Sequence, residues 1–331
     1  MKEENPLLIS NEQLIKETSE NFSLLQEKYK KDKEECIPFI GAGLSKPTGI
    51  DGWSDLLISM AEEFNLYDDE IKEKLKKSSY LQVASDLYNK IGNHTEYTKF
   101  LNQQFIQSVN LTTSTIIKIV HLFKSIITTN YDTAIEEAHK TIEFVKTGNS
   151  TINYEIQAFP KFKTTSFIKK STIAYLHGHI SNKIYLLTQE DYESSYPTIL
   201  KKNEPSKLED FLKANIQENC LIFFGFSFDD KFFYDFFKHV INESNREKEK
   251  NRQFEQYSDS EQIEHFAFIK LKKDDKKKNI IDNNSLHQKL KEINVKAIYY
   301  ENTYVELESE YLDQIKTETV SNEEGAYAYA K

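Results

Sequence analysis

The sequence predicts an α/β protein built on a doubly wound parallel sheet, and three observations lead to this prediction. Short apolar runs stand at Cys36–Ile40, near Ile126, near Ala174 and near Phe223. Each run stops at a polar or glycine-containing turn, and helical patterns follow these turns. Buried apolar strands that alternate with helices are typical of a parallel sheet covered by helices on both faces.

The remaining segments can be placed around this sheet in chain order. Residues 1–34 are predicted to be an N-terminal helical segment, with a helix over Asn11–Lys31. The main domain is predicted at residues 35–305, with a helical insertion at about 53–121 that carries the amphipathic segments "SDLLISMAEEF" and "SYLQVASDLYN". Two further strands, "FAFIKL" and "VKAIYY", come late in this domain, and residues 306–331 are predicted to be a C-terminal helix and tail.

Composition argues against several classes of protein. The net charge of −10 disfavours a general nucleic-acid-binding surface, so no direct nucleic-acid partner is expected. No apolar run reaches about 18 residues, so no membrane span is expected, and the first ten residues lack the apolar stretch of a signal peptide. A cytoplasmic location is the expectation. Two cysteines cannot form a four-cysteine zinc site, so no metal is expected.

The stretch "IPFIGAGLS" is the first candidate binding element. Gly41 and Gly43 lack Cβ atoms, so a phosphate could approach the backbone N–H groups there, and Ser45 could add a hydroxyl donor. A tight turn with a purely structural role is the alternative. The dinucleotide fingerprint G-x-G-x-x-G requires a glycine where this chain has Lys46, so a standard dehydrogenase turn is not matched.

The ends of three other predicted strands carry polar or small residues. "TTNYD" places Asn130 and Asp132 beyond one strand, "LHGH" places His177 beyond another, and "GFSFDD" places Gly225 and Ser227 beyond a third. Each has a simple structural alternative, such as a helix cap or a buried structural histidine. Because open α/β sheets bind ligands at the carboxyl ends of their strands, the four turns together predict one site.

The order GAGxS, TNxD, HG and GxS resembles the sirtuin superfamily, and it is most similar to the bacterial sirtuin-like NADase branch used in antiphage defence. The segments "GIDGWSDLL" and "LLTQEDYESSY" also resemble that branch. The resemblance covers about Pro38 to His239, most of the chain, and implies a Rossmann-like, sirtuin-type fold.

The resemblance also implies roles for individual residues. Asn130 and His177 would be catalytic, with Asn130 and Asp132 facing the nicotinamide ribose. The residues implied to hold the rest of the NAD+ are Gly41, Ala42, Gly43 and Ser45 at the pyrophosphate, and Gly225 and Ser227 at the adenosine half.

Two departures from protein-deacetylating sirtuins bear on the substrate. Those enzymes carry a four-cysteine zinc module, which this chain cannot build, and they have Asp-Phe-Arg where this chain reads Asp51-Gly52-Trp53. Both departures count against an acyl-lysine substrate and leave NAD+ binding and nicotinamide release as the expectation.

The function predicted from these residues is hydrolysis of NAD+ to nicotinamide and ADP-ribose, with depletion of NAD+ in abortive-infection antiphage defence. The alternatives are an ADP-ribosyltransferase or protein deacylase that uses the same pocket, and a non-catalytic sensor of NAD or a derived nucleotide. Because an unrestrained NAD+ hydrolase would kill its own cell, control is expected through a homo-oligomer or a partner defence protein such as a hexameric ATPase.

Overall fold

A computed structural model describes residues 9–46, 52–105, 115–148, 154–163, 171–200, 204–253, 263–273, 276–301 and 307–317. In these ranges a seven-stranded parallel sheet carries helices on both of its faces, which confirms the predicted fold class. None of the helices in these ranges has an apolar stretch long enough to cross a membrane.

The strands are numbered in chain order, and the sheet order is β3-β4-β2-β1-β7-β8-β9. Their bounds are β1 Cys36–Ile40, β2 Ile126–Thr128, β3 Glu155–Ala158, β4 Thr172–Tyr175, β5 Gly178–His179, β6 Ile184–Tyr185, β7 Cys220–Phe224, β8 His265–Lys270 and β9 Val295–Tyr300. The two short strands β5 and β6 form a separate antiparallel pair.

The helices lie before, between and after these strands. Their bounds are α1 Asn11–Lys31, α2 Ala42–Ser45, α3 Trp53–Glu63, α4 Asp69–Lys76, α5 Tyr80–Ile91, α6 His94–Phe105, α7 Thr115–Leu122, α8 Ala134–Thr147, α9 Gln189–Ser195, α10 Lys207–Glu218, α11 Lys231–Gln253, α12 Lys276–Glu292 and α13 Asp313–Thr317. A 3₁₀ turn at Lys33–Glu35 precedes β1, and a π-helical segment at Leu307–Leu312 precedes α13.

Strand β1 lies at the centre of the sheet, and the order of the strands reverses at this strand. It pairs with β2 on one side and with β7 on the other, and the chain builds outward from β1 in each direction. Such a reversal of strand order opens a crevice beyond the carboxyl ends of the central strands. The loops that follow β1, β2, β4 and β7 all begin at this edge.

Side chains along each strand point alternately to the two faces of the sheet, so the core is divided into two parts. Phe39 and Phe223 lie in the apolar cluster on one face, whereas Ile40 and Phe224 lie in the cluster on the other. The first cluster includes residues of α10, α11 and α12, and the second includes residues of α1, α7 and α8. Burial of both faces explains why the central strands read as continuous apolar runs.

The helical insertion after the first strand is present and has a core of its own. Residues of α3 to α6, such as Leu57, Met60 and Leu101, form a third buried cluster. Tyr131, from the loop after β2, and Leu187, from the loop before α9, join this cluster. The insertion is therefore packed against the loops that form the edge of the sheet.

Two elements differ in extent from their sequence pattern. Edge strand β3 was not predicted, because only Gln157 of its four residues is buried and no apolar run marks it. Helix α11 continues to Gln253, well into the polar, charged segment at residues 242–262, whose composition suits either a loop or a solvated helix end. Residues 254–262 of that segment lie outside the described residues.

Candidate active site at the carboxyl edge of the sheet

The turn after β1 is packed directly against the turn after β7. The Gly41 N–H donates to the Phe224 carbonyl at 2.9 Å, and the Gly43 N–H donates to the Gly225 carbonyl at 3.0 Å. A Cβ atom at Gly41 or Gly43 would lie 2.6 or 2.8 Å from the Gly225 carbonyl oxygen. Gly225 itself has φ +61°, which favours glycine.

This contact gives a structural reason for the two glycines of "GAG". The space that a Cβ would need is occupied by backbone, and the two N–H groups already have acceptors. The roles of Gly41, Ala42, Gly43 and Gly225 toward a pyrophosphate or adenosine group stay predictions. What the geometry provides is a rigid junction between two loops at the switch point of the sheet.

Ser45, at the end of α2, links the two polar residues that follow β2. The Asn130 amide Nδ2 donates to the Ser45 hydroxyl at 2.8 Å, and that hydroxyl in turn is hydrogen-bonded to the Asp132 carboxylate. All three side chains are buried, with exposed fractions of 2% for Ser45, 7% for Asn130 and 3% for Asp132. The chain thus joins residues 85 positions apart into one hydrogen-bonded unit.

The Asp132 carboxylate also binds the first residue of helix α8. Its Oδ1 accepts the backbone N–H of Ala134 at 2.9 Å. Burial and the nearby Glu136 carboxylate raise the pKa of Asp132, the hydrogen bonds from Ala134 and Ser45 oppose this shift, and the resulting pKa is about 6. Asp132 is therefore a carboxylate that changes charge just below neutral pH.

His177 stands in the turn between β4 and β5, with 2% of its surface exposed. Its Nδ1 lies 3.1 Å from the Tyr192 hydroxyl, and its Nε2 lies 3.8 Å from Oδ2 of Asp230. Burial lowers the pKa of His177 to about 3, so the ring is neutral at physiological pH. Burial raises the pKa of Asp230 to about 6.

Asn130 and His177 lie at corresponding positions beyond adjacent strands. Thr128 pairs with Tyr175 in the parallel register, and each site residue follows its strand by two positions. Among the described residues, Oδ1 of Asn130 and Nε2 of His177 are buried and have no hydrogen-bond partner. Ten buried side-chain atoms of the described residues lack a partner, and these two follow adjacent strands at the carboxyl edge, where open α/β sheets bind ligands.

Ser227 is placed differently from the other predicted site residues. Its side chain is exposed, and its hydroxyl accepts the backbone N–H of Asp229 at 3.3 Å. This hydrogen bond closes a turn within the loop, whereas the cap of helix α11 is Asp230 and not Ser227. In the described parts of the chain, no hydrogen bond joins Ser227 to the buried residues around Asn130 and His177.

Sequence reasoning assigned no site role to Tyr192 or Asp230. Tyr192 lies in the segment "LLTQEDYESSY", which carried part of the family resemblance, and Asp230 ends the stretch "GFSFDD", from which only Gly225 and Ser227 were named as candidates. No local pattern signals that a tyrosine 15 positions after His177 will reach its ring.

A second buried network lies beneath helix α8. The Glu136 carboxylate accepts from the Tyr175 hydroxyl through Oε2, and its Oε1 lies 2.8 Å from Nε2 of His179. Nδ1 of His179 lies 2.8 Å from the Ser181 hydroxyl. His179, two positions after His177, is thus fully engaged with neighbours of its own.

Over the described ranges, no group of three or more His, Cys, Asp or Glu side chains is arranged to hold a metal ion. Cys36 and Cys220 lie opposite each other at the starts of β1 and β7, and both are buried. A hydrogen bond with the neighbouring Cys36 thiol, together with burial, raises the pKa of Cys220 well above its usual value, so its thiol stays protonated.

Comparison with known proteins points to a family. A sequence model of the SIR2-like domain matches residues 124–298, more than half of the 331 residues. The chain is also similar to the NAD(+) hydrolase ThsA of Bacillus cereus (strain MSX-D12), with 25% identity over 204 residues. That similarity covers 60% of this chain and 38% of the relative, so this chain matches well under half of the relative's length.

Proposed function

This chain belongs to the SIR2-like domain family, and from that premise we propose that it hydrolyses NAD+ to nicotinamide and ADP-ribose. The observation that carries the proposal is the pair of buried, unpartnered atoms, Oδ1 of Asn130 and Nε2 of His177, beyond adjacent strands. The similarity to a relative named as an NAD(+) hydrolase supports the same reaction.

The reaction requires little acid catalysis at the leaving group. In NAD+ the nicotinamide ring is already cationic, so when the bond between its nitrogen and ribose C1′ breaks, the electron pair neutralises the ring. The ribose then carries positive charge, as in glycoside hydrolysis. A water molecule forms the new bond to C1′ and must lose a proton. The protein therefore has to hold the ribose, position the water and accept that proton.

Asn130 is suited to positioning. Its Nδ2 is held by Ser45, so the amide plane is fixed and Oδ1 is left to accept a hydrogen bond from a ribose hydroxyl or a water. The buried Asp132 carboxylate, joined to the same Ser45 hydroxyl, is assigned to the nicotinamide ribose. Placement of reactants in this way typically supplies several powers of ten in rate.

His177 is suited to accept the proton. The ring is neutral, because burial lowers its pKa to about 3, so one of its nitrogens has a lone pair at physiological pH, and Nε2 is the nitrogen without a hydrogen-bond partner among the described residues. Full protonation is unfavourable in such a buried site. The Asp230 carboxylate, 3.8 Å from Nε2, would stabilise the positive charge as it develops on the ring.

The remaining predicted contacts complete the proposal for NAD+ binding. The junction of Gly41, Ala42 and Gly43 with Gly225 would lie along the pyrophosphate, and the exposed Ser227 would contact the adenosine half. Among these groups the side chain of Ser227 is accessible from solvent, which suits a contact with the outer end of a dinucleotide.

A direct assay tests the proposal. Purified full-length chain is incubated with NAD+, with and without candidate activators, and nicotinamide and ADP-ribose are quantified by chromatography. Asn130→Ala and His177→Ala should each reduce nicotinamide release by at least about 100-fold. The exposed residues Asn89 and His94 provide matched controls, and their alanine variants should keep the activity of the parent. Activity that survives in both site variants would remove these residues from the mechanism.

We further propose that the activity serves antiphage defence by depleting NAD+, under control of self-assembly or of a partner protein such as a hexameric ATPase. The resemblance to sirtuin-like NADases of such systems supports this. Light scattering of the chain alone and with neighbouring gene products tests the control. A monomer that cleaves NAD+ without any trigger would contradict it.

A further inference from the structure

The proposed role of His177 requires a lone pair on Nε2. A neutral histidine carries its proton on only one ring nitrogen, and the partner of the other nitrogen decides which one. For His177 the partner of Nδ1 is the hydroxyl of Tyr192, at 3.1 Å. The direction of this hydrogen bond therefore determines whether Nε2 can act as a base.

The Asp230 carboxylate fixes that direction. Tyr192 is hydrogen-bonded to Asp230 as well as to His177. Burial holds the pKa of Tyr192 well above its ordinary value, so the phenol keeps its single proton. An ionised carboxylate only accepts hydrogen bonds, so the Tyr192 proton is donated to Asp230. The Tyr192 oxygen must then accept, and the proton between it and His177 belongs to Nδ1.

We propose that Tyr192 and Asp230 are positioning residues that hold His177 in the tautomer with its proton on Nδ1, so that the Nε2 lone pair faces the reaction. This inference rests on the proposed function for its catalytic meaning. During the reaction a proton leaves water or a ribose hydroxyl and binds Nε2. The bonds from Nδ1 to Tyr192 and from Tyr192 to Asp230 stay in place, and Asp230 remains ionised.

Both positioning residues are themselves fixed by the fold. Oδ1 of Asp230 accepts the backbone N–H of Phe233 at 3.0 Å, which caps the start of α11. The Tyr192 ring, in α9, packs against the rings of Tyr196 and Phe232, at centroid distances of 6.1 and 5.5 Å. Neither side chain can turn away without losing these contacts, so the hydrogen-bonded series has one arrangement.

The opposite tautomer has a weaker geometric basis. It would place the proton on Nε2, and Oδ2 of Asp230 would have to accept it across 3.8 Å. That distance is beyond hydrogen-bond range, whereas 3.1 Å between Nδ1 and the Tyr192 oxygen is within it.

Nitrogen NMR of the histidine rings measures the tautomer without any need for catalysis. Full-length protein is labelled with ¹⁵N-histidine, and the His177 signals are identified by their loss in His177→Gln. The expected result is a proton on Nδ1 in the parent protein. In Asp230→Asn, the amide can donate to the Tyr192 oxygen and turn its proton toward Nδ1, so the population should move toward the Nε2-protonated form. A parent protein with the proton on Nε2 would overturn the proposal, as would an unchanged tautomer in Asp230→Asn.

Kinetics provide the second measurement. Asp230→Asn and Tyr192→Phe should lower kcat for nicotinamide release by about 100-fold, with KM changed by less than about threefold, because the chemistry and not binding is impaired. Asparagine is a good helix cap, so Asp230→Asn keeps the start of α11.

Matched controls separate this role from packing. Tyr196→Phe removes a neighbouring buried hydroxyl for which the described residues offer no partner, and Asp235→Asn changes an exposed carboxylate of the same helix that pairs with Lys231. Both controls should keep the tautomer and the kcat of the parent. Equal losses of kcat in the controls and the test variants would overturn the positioning role.

The two proposals fail in different ways. If the parent protein cleaves no NAD+ under any activating condition, the proposed function fails, and the ring spectra still decide whether Tyr192 and Asp230 set the tautomer. If NAD+ is cleaved but Asp230→Asn changes neither the tautomer nor kcat, the function stands and the inference of positioning residues is overturned.

Discussion

Asn130 and His177 lie level with each other beyond two adjacent strands, because Thr128 of β2 pairs with Tyr175 of β4 in the parallel register. Each follows its strand by two residues, so the chain brings an amide and an imidazole to the same edge from 47 positions apart (130 and 177). Their neighbours then determine what each can do: Ser45 fixes the amide, and Tyr192 contacts the imidazole.

The junction of the glycine turns should tolerate no added carbon. Gly43→Ala would place a Cβ 2.8 Å from the Gly225 carbonyl oxygen and is expected to lower the free energy of unfolding by about 2 to 3 kcal/mol. Gly148→Ala is the control, since no atom lies within 4 Å of its added Cβ and its φ of +70° costs about 1 kcal/mol. Urea unfolding measures both, and equal losses would contradict the close packing.

Ser45 should contribute to stability as well as to the site. Ser45→Ala removes the acceptor of the buried Asn130 amide and one of the two donors to the buried Asp132 carboxylate, and we expect a loss of about 2 kcal/mol in unfolding free energy. Nicotinamide release should fall as well, because the plane of the Asn130 amide is no longer held.

The exposed Ser194 provides the control for this measurement. Its hydroxyl donates to the Asp191 carbonyl, and Ser194→Ala should change stability by less than about 0.5 kcal/mol. A Ser45→Ala variant as stable as Ser194→Ala would show that the buried bridge contributes little.

The buried Glu136 carboxylate should contribute far more to the free energy of unfolding than its neighbour Glu137. Glu136→Ala leaves the Tyr175 hydroxyl and the His179 ring without their acceptor, and the expected loss in unfolding free energy is about 3 kcal/mol. Glu137 pairs with Lys140 at the surface, so Glu137→Ala should cost less than about 1 kcal/mol. Similar losses for the two variants, measured by urea unfolding, would refute the network.

Stability should fall at acid pH in part because of buried neutral histidines. Burial lowers the pKa of His265 from 6.5 to about 3, and Nδ1 of this ring accepts the Leu221 N–H. A base whose pKa is lower in the folded state contributes stability that is complete above pH 6.5 and is lost as the pH falls toward 3. Asp132, whose folded pKa is raised to about 6, acts in the opposite direction between pH 6 and 4.

The variant His265→Asn keeps an acceptor for Leu221 and removes the titrating ring. Between pH 6 and 4, the slope of unfolding free energy against pH should decrease by about 1.4 kcal/mol per pH unit relative to the parent, which is the effect of one proton. The carboxylates are common to both proteins and cancel in the difference. His94→Asn, at an exposed position, should keep the parental slope. An unchanged slope in His265→Asn would contradict the burial of a neutral ring.

The place where the candidate site residues gather could be predicted because strand ends are visible in the sequence. The apolar runs that became β1, β2, β4 and β7 are buried on both faces, and each stops where a polar or glycine residue begins. Parallel pairing brings these stops to one edge, so Asn130 and His177 could be expected to meet there. Edge strand β3 could not be predicted in this way. Only Gln157 of this strand is buried, and a strand with few buried positions has no apolar run in its sequence.

Local patterns of apolar residues and the direction of parallel strands are enough to predict the fold class, the helical insertion and the edge at which the polar residues gather. Two features could be seen in the folded chain alone: the turn of Gly41 and Gly43 packs backbone to backbone on Gly225, and Tyr192 and Asp230 lie beside His177. These contacts join distant segments through packing and hydrogen bonds, and no spacing along the chain encodes them.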